Sequence, residues 1–160
     1  MIIGHIGARK GSKGLPGKNF RPICGKPLID WSLDQLFACP EVDAVVVSTD
    51  DEAIYDHAVA KGALKIGLRP AHLATDSAGK WGVWQHALEV SEALTGPATA
   101  FLDLDCTSPL RLPEDLENAL FLFAEQAPDM VMSCWRATTP PGSGFDTCSA
   151  PVASGSTRLK

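Results

Sequence analysis

The residues with the plainest chemistry come early. GARKGSKGLPGKN, from Gly7 to Asn19, holds four glycines and the four cations Arg9, Lys10, Lys13 and Lys18. Glycines let backbone N–H groups converge on an oxyanion, and ammonium and guanidinium groups neutralise it. The spacing matches neither GxxxxGK[ST] nor GxGxxG, so the loop reads either as an anion cradle of another kind or as a solvated turn. A second group, FLDLDCTSPLR, sets Asp103 and Asp105 two residues apart. In a strand that spacing puts both carboxylates on one face, opposite Leu102 and Leu104. Two carboxylates beside a phosphate site could hold Mg²⁺; alternatively, one of them caps or braces the next loop.

Charge is distributed unevenly. No acid precedes Asp30, whereas Arg9, Lys10, Lys13, Lys18, Arg21 and Lys26 all do, in a chain of 160 residues with net charge −5. The local reversal suggests one small region that meets an anion, with a solvated basic edge as the bland alternative. The overall sign argues against a general nucleic-acid binder. The five cysteines are widely spaced without a CxxC pair, which argues against a disulfide framework or a zinc site and for a reducing cytoplasm. No apolar run nears the roughly 18–20 residues of a membrane span. In MIIGHIGARKGSKG the charges follow a short apolar piece, the reverse of a signal peptide.

These groups need elements to position them. MIIGHI and DAVVVSTD read as buried strands, ATAFLDLD as another, with ALKIGL and DMVMSCW as shorter candidates. PLIDWSLDQLFAC, DDEAIYDHAVAKG, the segment Ser77 to Leu94, and the segment opening at Pro113 with Leu116, Leu120 and Phe123 on one stripe read as helices. Trp31, Trp81 and Trp84 fall at helical spacing and read as core. His5, inside a strand, reads as a satisfied core histidine. The alternation predicts a three-layer α/β/α sandwich with a mostly parallel, Rossmann-like sheet. Ligands of such sheets bind outside the strands' carboxyl ends, where the basic loop, the STDD turn and the DLDCTSPLR turn would converge. Neither the remaining histidines nor any cysteine has a neighbour that suggests a metal site or a nucleophile.

ARKGSKGLPGKN resembles the signature of the acylneuraminate cytidylyltransferases, and GKPLIDWSL, VVVSTDDEAI, LRPAHLATDSA and TSPLRLPEDLENAL agree in order. The resemblance covers about Ile2 to Val131 and implies the nucleotide-diphospho-sugar transferase fold. It also implies CTP and Mg²⁺ as requirements, and transfer of CMP to an acidic nine-carbon sugar with release of pyrophosphate. By the same resemblance Arg9, Ser12, Lys13, Lys18, Asn19 and Arg69 hold the nucleotide. Arg9, Lys13 and Lys18 meet the triphosphate and serve the transfer, and Asn19 meets the nucleoside.

The family's sugar-site glutamine is replaced by Asp105, the following proline by Cys106, and a serine by Lys80. A bare carboxylate facing a sugar acid is repulsive unless a cation, metal or proton intervenes. The pair of changes suggests that Lys80 meets Asp105 in a sugar pocket shared with Thr107 and Ser108, a pattern similar to the branch that activates legionaminic-type sugars. Asp103 and Asp105 remain the candidate metal carboxylates. Lys10 stands where the family has glycine, so a special backbone angle there would carry strain.

Members of the family are longer and homodimeric. The expectation is therefore a nucleotidyltransferase α/β domain over 1–135 and a loop or tail over 136–160 that opens a missing sugar-site and dimerisation region. The alternatives are a nucleotide-binding remnant without catalysis, and a cytidylyltransferase for another sugar such as 3-deoxy-octulosonate.

Overall fold

The structure, a computed structural model, describes residues 1–11 and 14–133. They fall into two units, Met1–Arg111 and the part of Leu112–Lys160 that is described. The boundary expected at 135 lies outside the described residues.

In the first unit three parallel strands form the sheet, in the order β4-β1-β5. They are β1 (Ile2–Gly7), β4 (Ala44–Ser48) and β5 (Ala100–Leu104), and all three were legible as apolar, β-branched runs. Three helices accompany them: α1 (Leu28–Ala38), α2 (Glu52–Ala60) and α3 (Lys80–Thr95). Alternation along β1 assigns the faces. Gly4 points at α1, where an added Cβ would come within 2.8 Å of Leu36 Cδ2, so close approach demands glycine there. Ile3 points the other way and packs with Val46, Ile66 and Ala87 of α3. Helices thus cover both faces, as the three-layer reading requires.

Register fixes which polar groups meet. His5 lies beside Val46 on one flank and Asp103 on the other. In a parallel sheet such neighbours share a face, so both project toward α3. The chain runs from β1 outward to β4 and then crosses to β5 on the opposite flank, which makes the carboxyl end of β1 the switch point of the sheet.

Several expectations need correction. ALKIGL is not a strand: Leu64 N–H makes one bond to the Val45 carbonyl at 2.8 Å, and Gly67, at φ +77°, turns the chain away before a ladder can form. The DMVMSCW strand is also missing over 129–133, the part of it that is described. The helix expected from Ser77 starts at Lys80, because residues 74–79 form a loop. Trp81, taken as core, is exposed, and the buried face of α3 is Val83, Ala87 and Ser91. An antiparallel hairpin was missed: β2 (Pro22–Ile23) pairs with β3 (Lys26–Pro27). Its two-residue turn, Cys24 at φ 51° and Gly25 at φ 81°, has the positive angles of a tight hairpin turn.

Within the second unit, α4 (Pro113–Gln126) opens on the proline that marked it. Asp115 Oδ2 accepts the Leu112 N–H at 2.8 Å, closing the first turn. Of its expected stripe Leu116 is buried, while Leu120 and Phe123 are half-buried.

Candidate functional site

A cavity of about 290 Å³ opens at the carboxyl ends of the strands. Arg9, Lys18, Asn19 and Arg69 line it, as do Asp76, Lys80, Asp105 and Thr107. The basic loop and the DLDCTSPLR turn therefore meet as the α/β alternation predicted, whereas no residue of the STDD turn lines the cavity. Ser12 and Lys13 lie outside the described residues. Ser108 is exposed and does not line the cavity.

The basic loop is anchored at its root. Ala8 N–H continues the ladder to the Ser48 carbonyl at 3.0 Å, and Lys10 N–H donates to Asp50 Oδ1 at 2.8 Å. Lys10 does not have a positive φ, so no strain accompanies lysine there. Asn19, 5% exposed, spends a side-chain N–H on the Arg9 carbonyl at 3.3 Å, and so pins the loop while lining the cavity. Arg69 is buried against β4: its Nε donates to Ser48 Oγ at 3.0 Å and its Nη2 to the Ser48 carbonyl. Burial pushes the Arg69 guanidinium below its usual range, Arg9 pushes it further, and Asp50 acts against both. Arg9 is ion-paired with Asp76, from the loop that precedes α3.

The opposite side is a chain of charge. His5, fully buried, lies with Nδ1 2.6 Å from Asp103 Oδ1. Asp103 Oδ2 takes the Lys80 ammonium at 2.8 Å, and that ammonium lies 3.6 Å from Asp105 Oδ2. Burial lowers the His5 pKa despite its acidic partner. Burial alone would raise the Asp103 carboxyl, but the bonds from His5 and Lys80 outweigh it and hold the carboxyl below its ordinary value. Both directions fit a neutral imidazole that donates Nδ1–H to an ionised carboxylate. His5 Nε2 is then a bare acceptor, buried without a partner, so His5 is only half satisfied, contrary to its reading as a satisfied core residue.

Lys80 was expected to meet Asp105; it lies 3.6 Å from that carboxylate, but its nearer partner is Asp103 at 2.8 Å. This arrangement does not fit a divalent cation held between the two carboxylates. Both Asp103 oxygens are engaged, and the ammonium already stands between Asp103 and Asp105. Among the described residues no group of three or more His, Cys, Asp or Glu side chains could hold a metal.

Sequence reasoning missed the clamp behind Asp105. Arg111 donates to the Asp105 carbonyl from Nη1 at 3.1 Å and from Nη2 at 3.3 Å, and to Ser32 Oγ at 2.6 Å. Gln35 Oε1 accepts from Arg111 Nε at 3.2 Å, while Gln35 Nε2 donates to the Pro109 and Arg111 carbonyls. The turn is thereby bolted to α1. TSPLR was singled out as a motif, but only the packing shows that its arginine points back at Asp105 rather than into the cavity. Cys106 is buried, and its thiol is pushed up to about 12 by burial and then by Asp105, which makes it inert.

The sequence matches the cytidylyltransferase family model over residues 3–158. It is 34% identical over 141 residues to a post-translational flagellin modification protein B of Campylobacter coli, covering 88% of this chain and 60% of that one. It is 38% identical over 119 residues to the CMP-N,N'-diacetyllegionaminic acid synthase of Legionella pneumophila, covering 74% of this chain and 51% of the relative. Among solved structures, a CMP-2-keto-3-deoxy-manno-octonic acid synthetase complexed with CTP superposes with a TM-score of 0.59 at 25% identity, over 79% of this chain and 49% of that one. The chain spans about half the length of these relatives.

Proposed function

The chain belongs to the cytidylyltransferase family, and on that premise we propose that it serves transfer of CMP from CTP to an acidic nine-carbon sugar of the N-acylneuraminate or legionaminate type, with release of pyrophosphate. One observation supports the reading: one cavity is lined both by Arg9, Lys18 and Arg69, assigned here to the nucleotide, and by Lys80, Asp105 and Thr107, assigned here to the acceptor. The acceptor hydroxyl attacks the α-phosphorus, and the bond to the bridging oxygen of the β-phosphate breaks. Charge grows on the departing pyrophosphate, and fixed cations lower the barrier by meeting that charge where it develops. Arg9, Lys13 and Lys18 take this role, and Ser12 of the same loop helps to hold the nucleotide. Arg69, locked to Ser48, supplies a cation that needs no reorganisation. Asn19 holds the loop and faces the nucleoside.

On the acceptor side Lys80 offers the sugar acid a positive group between two carboxylates, with Thr107 and Ser108 as hydroxyl partners. Mg²⁺ is the cofactor proposed with CTP, and it would supply charge neutralisation at the triphosphate. A cytoplasmic enzyme accords with this reading. Among the described residues no helix is long and apolar enough to cross a membrane. The test is CTP-dependent pyrophosphate release by the purified chain with neuraminate-, legionaminate- and octulosonate-type acids. Turnover with a nine-carbon acid supports the reading, and preference for the octulosonate reassigns the acceptor. CTP binding without turnover on any acid identifies a nucleotide-binding remnant.

A further inference from the structure

The geometry points to Asp105 as the general base that takes the proton of the attacking acceptor hydroxyl. The inference rests on the transfer reaction proposed above and assigns a step that the reading leaves open.

Among the described residues Asp76 and Asp105 line the cavity and Asp103 stands against it through Lys80, and two of these three are already committed. Asp76 is ion-paired with Arg9 on the nucleotide side. Asp103 has one oxygen on His5 and the other on Lys80. His5 Nε2 is an unpartnered acceptor, but it is fully buried beneath the cavity. Asp105 differs. Its Oδ1 accepts from Thr107 Oγ1 at 3.1 Å and from Thr107 N–H at 3.4 Å, in a tight local turn. Its Oδ2 has Lys80 at 3.6 Å, too long for a hydrogen bond, and more than half of the side chain is exposed. One carboxylate oxygen is therefore open toward the space where an acceptor would sit, at the carboxyl end of β5.

The residue that carries this oxygen is held from several sides. The Asp105 carbonyl is gripped by Arg111 and Ser32, and Arg111 is itself gripped by Gln35. The carboxylate is fixed by Thr107 on one oxygen and approached by Lys80 on the other. Lys80 is held by Asp103, and Asp103 by the buried imidazole of His5. Supports on every side of one open acceptor are what a positioned base requires, since misplacement by about 1 Å can cost 10²-fold in rate.

The step balances simply. The acceptor oxygen forms its bond to the α-phosphorus as its proton passes to Asp105 Oδ2. The bond between the α-phosphorus and the bridging oxygen breaks, and its electron pair leaves with pyrophosphate. The protonated carboxyl then returns its proton to solvent through the cavity mouth. Asp105 is the catalytic residue in this step, while Thr107, Arg111, Ser32 and Lys80 are positioning residues.

The experiment measures steady-state turnover and CTP affinity of the purified chain for wild type, Asp105→Ala and Asp105→Asn, with and without added formate. The expected result is a kcat lower by about 10²–10⁴-fold in both variants, with CTP affinity within about twofold. Formate, a carboxylate small enough for the space Asp105→Ala opens, restores part of the lost rate there and none in Asp105→Asn, which fills that space. If Asp105→Ala fails to fold, the isosteric Asp105→Asn carries the test through its kcat loss at unchanged CTP affinity. Retention of kcat within tenfold in the folded variant, with only the acceptor KM raised, makes Asp105 a recognition residue and overturns the inference. So does loss of rate in folded Asp105→Ala that formate does not rescue. Wild type without turnover on any sugar acid overturns the transfer reading itself, a failure distinct from the other two.

Discussion

Two Asp–His–Lys clusters in this molecule are built to nearly the same dimensions. Between α1 and α2, Asp30 takes His57 Nε2 at 2.6 Å and Lys61 Nζ at 2.9 Å. Beneath the cavity, Asp103 takes His5 Nδ1 at 2.6 Å and Lys80 Nζ at 2.8 Å. The first is closed on itself. Lys61 goes on to Asp34 at 3.0 Å, Asp34 to Lys26 at 2.7 Å, and His57 packs edge-on against Phe20. The second ends in the open: Lys80 is 54% exposed at the cavity and reaches toward Asp105. An ion cluster is thus no functional signal by itself. What separates the two is that only one stands at the strands' carboxyl ends and leaves polar valence facing a cavity.

The largest expected effect comes from removing either central carboxylate. Asp30→Ala removes the shared partner of His57 and Lys61, whose side chains are each about 30% exposed. It is expected to cost roughly 2–3 kcal/mol, below the full value for a broken buried pair because water can reach the partners. Urea unfolding should show that loss with CTP affinity of the folded protein unchanged. Asp103→Ala should cost a similar amount and also raise the acceptor KM, because Lys80 loses its anchor. Equal KM effects from the two variants would erase the distinction between the clusters.

Next come the lysines. Lys80→Ala should raise the acceptor KM about tenfold, the value of one charge-assisted contact, with stability changed by less than about 1 kcal/mol for so exposed a group. Lys61→Ala should leave the KM alone. An unchanged KM in Lys80→Ala removes it from the acceptor side.

The pH response separates the clusters further. Burial depresses the His5 pKa from its ordinary 6.5. Below that value the unfolded chain takes up a proton that the folded chain refuses, so stability falls as pH falls, by at most about 1.4 kcal/mol per pH unit. Asp103 is also depressed, from 3.8, and its contribution is lost only at lower pH still. His5→Asn, which keeps a donor near Nδ1, should flatten the stability curve between about pH 6.5 and 4 and leave the steeper acid limb. The readout is the urea midpoint at half-unit intervals of pH. A slope unchanged in His5→Asn means that another group carries the proton.

How much of this was legible in the sequence depended on the range of the determining interaction. β1 and β4 announced themselves because burial on both faces writes a nearly continuous apolar run, and β5, half-buried and interrupted by Asp103, still showed as a short apolar segment. The sharing of a face by Asp103 and Asp105 followed from strand alternation alone. The β2–β3 hairpin was hidden because Cys24 occupies a positive-φ position that asparagine or aspartate usually advertises. ALKIGL looked like a strand by composition, yet strand formation depends on a partner ladder that one glycine angle removes. His5–Asp103 and Arg111–Asp105 could not be read at all. The first depends on the register of β1 against β5, the second on an arginine folding back across α1, and neither leaves a local pattern.

The smallest effect tests the cation that both halves of the reaction need. Arg9 is ion-paired with Asp76, and their side chains are 35% and 45% exposed, so the pair contributes under about 1 kcal/mol. A triphosphate arriving at Arg9 meets that carboxylate either as a competitor for the guanidinium or as a like charge beside it. Asp76→Asn keeps a hydrogen-bonding group and removes the charge. CTP should then bind two- to fivefold more tightly, with the gain larger at low salt than at high salt because the groups are screened. Asp34→Asn removes an equally exposed acid from the closed cluster, 47% exposed against Lys26 and Lys61, and should leave CTP affinity unchanged. Titration calorimetry of both variants at two salt concentrations makes the comparison. Weaker CTP binding in Asp76→Asn would mean that Asp76 aims Arg9 at the phosphates instead of competing with them. Asp76 would then serve the nucleotide through Arg9.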